Sequence, residues 1–369
     1  MFWASRDTMP AMRAVAVIPG RHGSAHIRDD APDPTPAPGD AVVRVIEAGV
    51  CGTDVEIHEG LYGEPPAGAD FLVLGHENLG IVESSPSGAH VQPGDLVVAT
   101  VRRPCAERCH PCARGQNDMC LTGNFKERGI RGLHGFMSER YSESPAYLVK
   151  LPAQLRSFAV LMEPMSVVQK GIDHAYRIQE RLSWEPRTAV VLGAGPIGIL
   201  AAAAFRLRGL DVTVAARETE GSFKDTLLAE AGIRYVSTAT VPLAEMTRAT
   251  GPIDVVFEAT GATSVVVPAM RMLGPDGVCI LSSVTGGSES LSIDVAAWNR
   301  EMVLGNRVAF GTVNAGRSHF ETGARDLEIA EARLPGWLER LITRRLPFTD
   351  IATALVRRHE DIKTVLVFH

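Results

Sequence analysis

The run Ala189-Val-Val-Leu192 followed by Gly193-Ala-Gly195-Pro-Ile-Gly198 decides how this chain folds. Four consecutive apolar residues predict a buried strand, and the glycine-punctuated turn leads into an alanine-rich helix over 197–208. Working outward, the pattern gives a strand over 212–215, a helix near 224–231, a strand over 253–257 and a helix over 264–273. A strand over 278–281 and a further helix and strand to about 310 complete it. This alternation implies an α/β fold, with a doubly wound parallel sheet covered on both faces, over residues 187–326.

The turn also carries chemistry. Gly193, Gly195 and Gly198 permit a tight turn and close approach of the backbone to a pyrophosphate, while Pro196 and Ile197 open a helix whose N-terminus faces the phosphates. A dinucleotide is the expected ligand. At the end of the next strand an acidic side chain would hold the adenosine ribose, but Ala216 stands there, followed by Arg217 and Glu218. An arginine can pair with a 2′-phosphate through bidentate, charge-assisted bonds, which favours NADP. Glu218 could still take the ribose hydroxyls, so NAD stays open.

Composition excludes several classes. The 369 residues are 45% hydrophobic, which suits a globular chain of two domains and excludes a disordered or fibrous one. A net charge of -6, from 43 acidic and 37 basic residues without long like-charge blocks, leaves no footprint for nucleic acid or an anionic membrane. A small-molecule partner is expected. The start Met1-Phe-Trp-Ala-Ser-Arg-Asp7 has no basic segment leading into an apolar core, and no apolar run approaches a membrane span, so a cytoplasmic location is expected.

The rest of the chain, 1–186 with 327–369, reads as a second, β-rich domain, with residues 1–11 a disordered extension. Strands are predicted over 12–18, 41–46, 79–84, 95–100 and 147–151, and a helix over 158–175 with Glu163-Pro164 in its first turns. Pro32, Pro34, Pro36 and Pro38 make a stiff extended connection. Of six cysteines, Cys105, Cys109, Cys112 and Cys120 cluster in a loop over 102–123 that lacks a hydrophobic run. Four thiols so spaced predict a closed tetrahedral zinc site that ties the lobe together and does no chemistry. Cys51, at a strand end before Gly52, and His76-Glu77, after Phe71-Leu-Val-Leu-Gly75, are the candidates for a second metal centre. Each also has a plain structural reading, as a small buried thiol and a loop pair.

Together Gly49-Val-Cys-Gly-Thr-Asp54, Gly75-His-Glu77, the cysteine lobe, Glu163-Pro164 and Gly193-Ala-Gly-Pro-Ile-Gly198 resemble the zinc-dependent medium-chain dehydrogenase/reductase family. The resemblance covers nearly the whole chain from Met12. Asp70-Phe-Leu-Val-Leu-Gly-His-Glu77, Thr122-Gly-Asn-Phe125, His134-Gly-Phe-Met137, Gly311-Thr-Val-Asn314 and His319-Phe320 are most similar to its glucose (aldose) 1-dehydrogenase branch. It implies a GroES-like catalytic domain, a Rossmann domain and a homodimer or homotetramer. Cys51 and His76 then match the catalytic zinc ligands, and Glu77 and Glu163 match positions that supply the carboxylate. Neighbouring residues of an extended segment face opposite ways, so His76 and Glu77 can share a metal only across a local bend. Glu163 is the expected resting ligand, with Glu77 exchanging in.

The implied reaction is hydride transfer from C1 of a pyranose to NAD(P), giving the lactone, with zinc lowering the pKa of the hydroxyl and Thr53 passing its proton outward. Thr260 and Asn314 join the cofactor contacts, and Thr53, Glu127, Glu163 and Asn314 the substrate contacts. Two departures stand out. Cys105 and Cys109 are separated by three residues where the family has two, so the first loop should bulge, and Val101 stands where a polar sugar contact is expected. A polyol, secondary-alcohol or amino-alcohol dehydrogenase is the alternative enzyme on this scaffold, and an NADPH-binding protein with a retired site the non-enzymatic one.

Overall fold

A computed structural model describes residues 11–286 and 288–368, without the side chains of 247–250. The chain forms two compact units, one running through Glu163 and resuming at Ile342, the other Pro164–Leu341. The expected boundaries were 186 and 327. The helices Met162–Gln179 and Arg317–Arg333 are tied to the second unit, where Gln169 donates to Asp326 at 2.8 Å and Lys170 to the Val313 carbonyl at 3.0 Å. Residues 1–10 of the predicted extension lie outside the described residues, whereas Ala11 already pairs with Pro32.

In the first unit the alternating valines of Ala41–Val50 make the central strand of a seven-stranded sheet. Glu77–Ser84 and Lys363–Val367 flank it, both antiparallel, and the register sets Gly49 opposite Glu77 and Val50 opposite Thr364. Residues far apart in sequence thus converge at one sheet end. Beneath it, Val43, Val45, Leu72, Leu74, Val97, Phe136, Leu148 and Leu366 are almost wholly buried. Each such side chain contributes about 1.5–3 kcal/mol on leaving water. The strand Ile342–Pro347, not foreseen, extends the sheet parallel to Lys363–Val367.

In the second unit six parallel strands run in the order Arg234–Ser237, Asp211–Ala216, Thr188–Leu192, Ile253–Glu258, Leu273–Leu281, Val308–Gly311. In chain order this is 3-2-1-4-5-6, the doubly wound arrangement that the sequence predicts. It reverses direction beside Thr188–Leu192, where such sheets open a crevice at their C-terminal ends. The short strand Arg234–Ser237 and the helix Leu243–Thr250 were not foreseen, since both are brief and half polar. The predicted helix over 158–175 is displaced to Met162–Gln179, behind a 3₁₀ turn at Ala159–Leu161.

Candidate active site

Cys51 leaves the central strand and stands at the N-cap of the helix Gly52–His58. Asp54, wholly buried, accepts from the Cys51 backbone at 2.8 Å and from the Gly75 backbone at 3.2 Å, so one carboxylate ties both ligand loops. Gly75 has φ +92°, and a Cβ there would stand 2.5 Å from Met137 Cγ. Only glycine takes that backbone cheaply, and the bend it makes precedes His76 just before the strand begins at Glu77. The alternation expected of an extended segment is therefore broken. One donor atom each of Cys51, His76 and Glu77 lies within 4.8 Å of the others.

These donors sit in a charged, dry setting. Glu77 and Lys363 form an ion pair at 2.5 Å, both side chains 2% exposed, and Lys363 also donates to the Val50 carbonyl at 3.0 Å. Glu163 is buried close by, its pKa pushed up to about 7 by burial; Glu77 and Asp54 add to the rise, while His76 and Lys363 oppose it. His76 Nδ1 lies 3.6 Å from Asp54 without a hydrogen bond. Burial disfavours its charged form, yet Asp54 and Cys51 outweigh that and raise its pKa well above the ordinary value. Three carboxylates and a thiol thus face one ammonium and one imidazole. This excess of anionic donors, with an orphaned buried imidazole nitrogen, fits a divalent cation such as zinc, which takes thiolate, imidazole and carboxylate ligands.

The cysteine lobe forms a second donor set. Cys105, Cys109, Cys112 and Cys120 offer four sulfurs within 4.8 Å of one another, and the Leu121 and Cys109 backbone amides donate to the sulfurs of Cys109 and Cys105. Arg108, in the longer first loop, takes a left-handed φ of 49°, and that turn accommodates the bulge. Burial pushes the Cys112 thiol up to about 12, whereas bonds from Thr122 and Gly123 overcome burial and draw Cys120 down to about 6. The set suits a closed structural zinc.

In the second unit Gly193, at φ +107°, donates to the Ala215 carbonyl at 2.8 Å. A Cβ on Gly198 would lie 2.0 Å from the Gly193 carbonyl, so the helix Pro196–Leu207 packs directly on the turn; a Cβ on Gly195 would meet only open space. That cradle fits a pyrophosphate at the helix N-terminus. Thr260 borders the turn, its amide and hydroxyl donating to Glu258 at 2.6 and 2.5 Å. Ala216 is buried at its strand end, Arg217 is exposed, and Asn314 takes a left-handed φ of 59° with its side-chain Oδ1 accepting the Ala315 amide at 2.9 Å.

Two family models match. One described as alcohol dehydrogenase GroES-like domain covers residues 37–153, and one described as glucose dehydrogenase C-terminus covers 156–368. The glucose 1-dehydrogenase of Methanocella arvoryzae is 42% identical over 356 residues, 96% of this chain and 99% of that protein. The chain belongs to the zinc-dependent medium-chain dehydrogenase family. Within that family, the glucose 1-dehydrogenase of Thermoproteus tenax is 42% identical over 357 residues, 96% of this chain and 99% of the relative. The solved glucose dehydrogenase of Haloferax mediterranei, in complex with NADP, Zn and gluconolactone, superposes with a TM-score of 0.88 at 33% identity, over 97% of this chain and 99% of that one. The GroES-like and Rossmann folds expected from the resemblance are those observed.

Within the dehydrogenase, sequence reasoning assigned no role to Asp54, Tyr62 or Lys363. Asp54 lay in a quoted motif, but its two backbone bonds depend on the fold. Tyr62 is hydrogen-bonded to Thr53, and its pKa is pushed up to about 12, chiefly by burial. Glu127 accepts from Arg102 at 2.9 Å in a nearly buried pair, and Val101, 2% exposed, offers its carbonyl to the Arg128 amide at 3.1 Å.

Proposed function

We propose that this dehydrogenase oxidises C1 of an aldose of the glucose type to the aldonolactone, with NADP as the hydride acceptor. The observation that carries the proposal is the donor set of half-buried Cys51 with buried His76 and Glu77, short of positive charge, in a chain that spans nearly all of several glucose 1-dehydrogenases. Cys51, His76 and either Glu77 or Glu163 hold the catalytic zinc, and Cys105, Cys109, Cys112 and Cys120 the structural one. When bound, zinc lowers the pKa of the substrate hydroxyl and the nicotinamide accepts the hydride.

The chain's own residues do the rest. Asp54, by accepting from the Cys51 and Gly75 backbone amides, positions the two loops that present Cys51 and His76. Lys363 steadies Glu77, and Glu163 is the candidate that exchanges with it as the third ligand. The Thr53 hydroxyl, with Tyr62 behind it, carries the proton outward. Gly193, Gly195, Pro196, Ile197 and Gly198 hold the pyrophosphate, Arg217 meets the 2′-phosphate, and Thr260 and Asn314 are further cofactor contacts. Glu127 and Glu163 are the candidate sugar contacts on the first unit. Since Val101 offers no side-chain hydrogen bond, discrimination among sugars falls to these carboxylates, which favour a sugar that presents a matching hydroxyl.

Zinc content measured beside a cofactor-linked substrate panel tests the reading. The expected result is two zinc ions per chain and NADP reduction with aldoses but not sorbitol, threonine or simple alcohols. NADPH binding without turnover on any panel member would refute it. For the cofactor, Arg217→Asp should lower the ratio of NADP to NAD efficiency, and an unchanged ratio sinks that assignment.

A homodimer is part of the proposal. The edge strand Val308–Gly311 leaves one side of the sheet unpaired, and Val284, Val295, Val303, Leu304 and Val313 expose 57–87% of their surface nearby in sequence. Light scattering with Leu304→Glu, expected to be monomeric, checks this. Among the described residues no helix is long and apolar enough to cross a membrane. The free thiols of the lobe suit a reducing, cytoplasmic setting.

A further inference from the structure

The nucleotide-binding unit holds a buried cation that the chemistry above does not use. Lys224, in the first turn of the helix Phe223–Glu230, is 6% exposed. Its ammonium donates to Glu218 Oε1 at 2.5 Å, in an ion pair whose side chains are 7% and 14% exposed. The Tyr235 hydroxyl donates to the Glu218 carbonyl at 2.9 Å and lies 3.4 Å from Glu218 Oε2. The strand that carries Tyr235 runs parallel to Asp211–Ala216, with Tyr235 opposite Val214 and Ser237 opposite Ala216. The three side chains therefore gather just past the strand end at which this fold reads the adenosine ribose.

A carboxylate placed two residues beyond Ala216 has two effects on a dinucleotide. It can accept from ribose hydroxyls, which favours NAD, and it repels a 2′-phosphate. An ammonium in contact with it cancels that charge. Burying an ammonium is costly, and the ion pair with Glu218 offsets that cost and locks Glu218 in turn. Arg217, one residue earlier, is exposed and is left as the net charge at the strand end.

We propose that Lys224 and Tyr235 form a coenzyme-selecting clamp: by holding and neutralising Glu218 they leave Arg217 as the charge that meets the adenosine 2′ position, and so set the preference for NADP over NAD. Both are positioning residues, acting through Glu218. The inference rests on the NADP reading above. Burial and the Glu218 carboxylate raise the Tyr235 phenol well above its ordinary pKa, so it remains a donor throughout the working range.

The test measures dissociation constants of NADPH and NADH by fluorescence titration, together with kcat/KM for NADP and NAD, in the zinc-loaded enzyme. Lys224→Met should lower the NADPH-to-NADH affinity ratio about tenfold, the size of a water-screened charge a few ångströms from a phosphate. Lys224→Arg should hold the ratio within about threefold, and adding Glu218→Gln to Lys224→Met should restore it. Tyr235→Phe should shift it in the same direction by about threefold, through the lost hydrogen bond. Equal loss of both cofactors in Lys224→Met, with the ratio unchanged, overturns the proposal; if that variant fails to fold, an unchanged ratio in Tyr235→Phe does so. Arg217→Asp separates the two levels. If it too leaves the ratio unchanged, the NADP reading has failed; if it shifts the ratio and Lys224→Met does not, the clamp alone has failed.

Discussion

Replacing Lys363 with methionine leaves the Glu77 carboxylate buried beside Gly49 without its ammonium. Both side chains are 2% exposed and their charged atoms are 2.5 Å apart, so water screens little of the interaction. Removing one partner of such a pair costs about 3–5 kcal/mol, because the remaining charge must stay uncompensated or take up a proton. That is roughly two to four orders of magnitude in the opening equilibrium of the surrounding strands. Hydrogen exchange by mass spectrometry on peptides spanning Glu77–Ser84 and Lys363–Val367 reads this directly. Chelator-treated protein is the right sample: bound zinc would supply Glu77 with another counter-charge, and loss of the lobe metal is common to all variants. Lys363→Met should lose protection by that amount, and Lys363→Met with Glu77→Gln should recover most of it, since no charge is then stranded. Returning zinc should narrow the gap for the single variant. A change below about tenfold in Lys363→Met, or a double variant as open as the single one, would refute the reasoning.

Glu143, held by Arg103 and by Arg128 at 2.8 Å, has its pKa lowered because the two arginines outweigh burial. A depressed carboxylate contributes stability above its unfolded pKa of about 4.5 and loses it as pH falls through the folded value. Urea midpoints across a pH series should therefore drop below about pH 4.5 in the parent, while Glu143→Gln should lack that acid-sensitive component and lose about 3–5 kcal/mol at pH 7. Cys112→Ser should release one zinc per chain, seen by elemental analysis, and open residues 102–123 to proteolysis while the catalytic ion stays. In Gly49→Ala the new Cβ would stand 2.0 Å from Glu77 Oε2 and 2.9 Å from Lys363 Cε. The ion pair must move, so zinc affinity of the catalytic centre should fall about tenfold or more while the lobe keeps its metal.

Local patterns made much of this protein legible. The buried run Ala189-Val-Val-Leu192 and its glycine turn set the parallel sheet, because period and turn chemistry act over neighbouring residues. The four lobe thiols lie close enough in sequence that their spacing alone indicated a shared ion. The bend at Gly75 was anticipated only as a requirement for His76 and Glu77 to share a metal; the close approach of Met137 that calls for glycine there belongs to the fold. Val101 and Glu127 show the limit on the substrate side, since the partner of the Glu127 carboxylate, Arg102, became visible only through strand pairing at Arg102 and Glu127.

Cys51, His76, Glu77 and the nucleotide turn were thus determined as candidates by sequence alone, each from residues within a few positions of one another. Only the tertiary structure decided the electrostatics of the centre. Lys363 reaches Glu77 across 286 residues because Ala41–Val50 pairs on one side with Glu77–Ser84 and on the other with Lys363–Val367. The same holds for Tyr235, which parallel strand pairing brings to Glu218, whereas Lys224 reaches Glu218 from the next helix. Short-range spacing specifies which donors are available, but the charge that each one feels depends on contacts between distant segments, and those exist only once the sheets have formed.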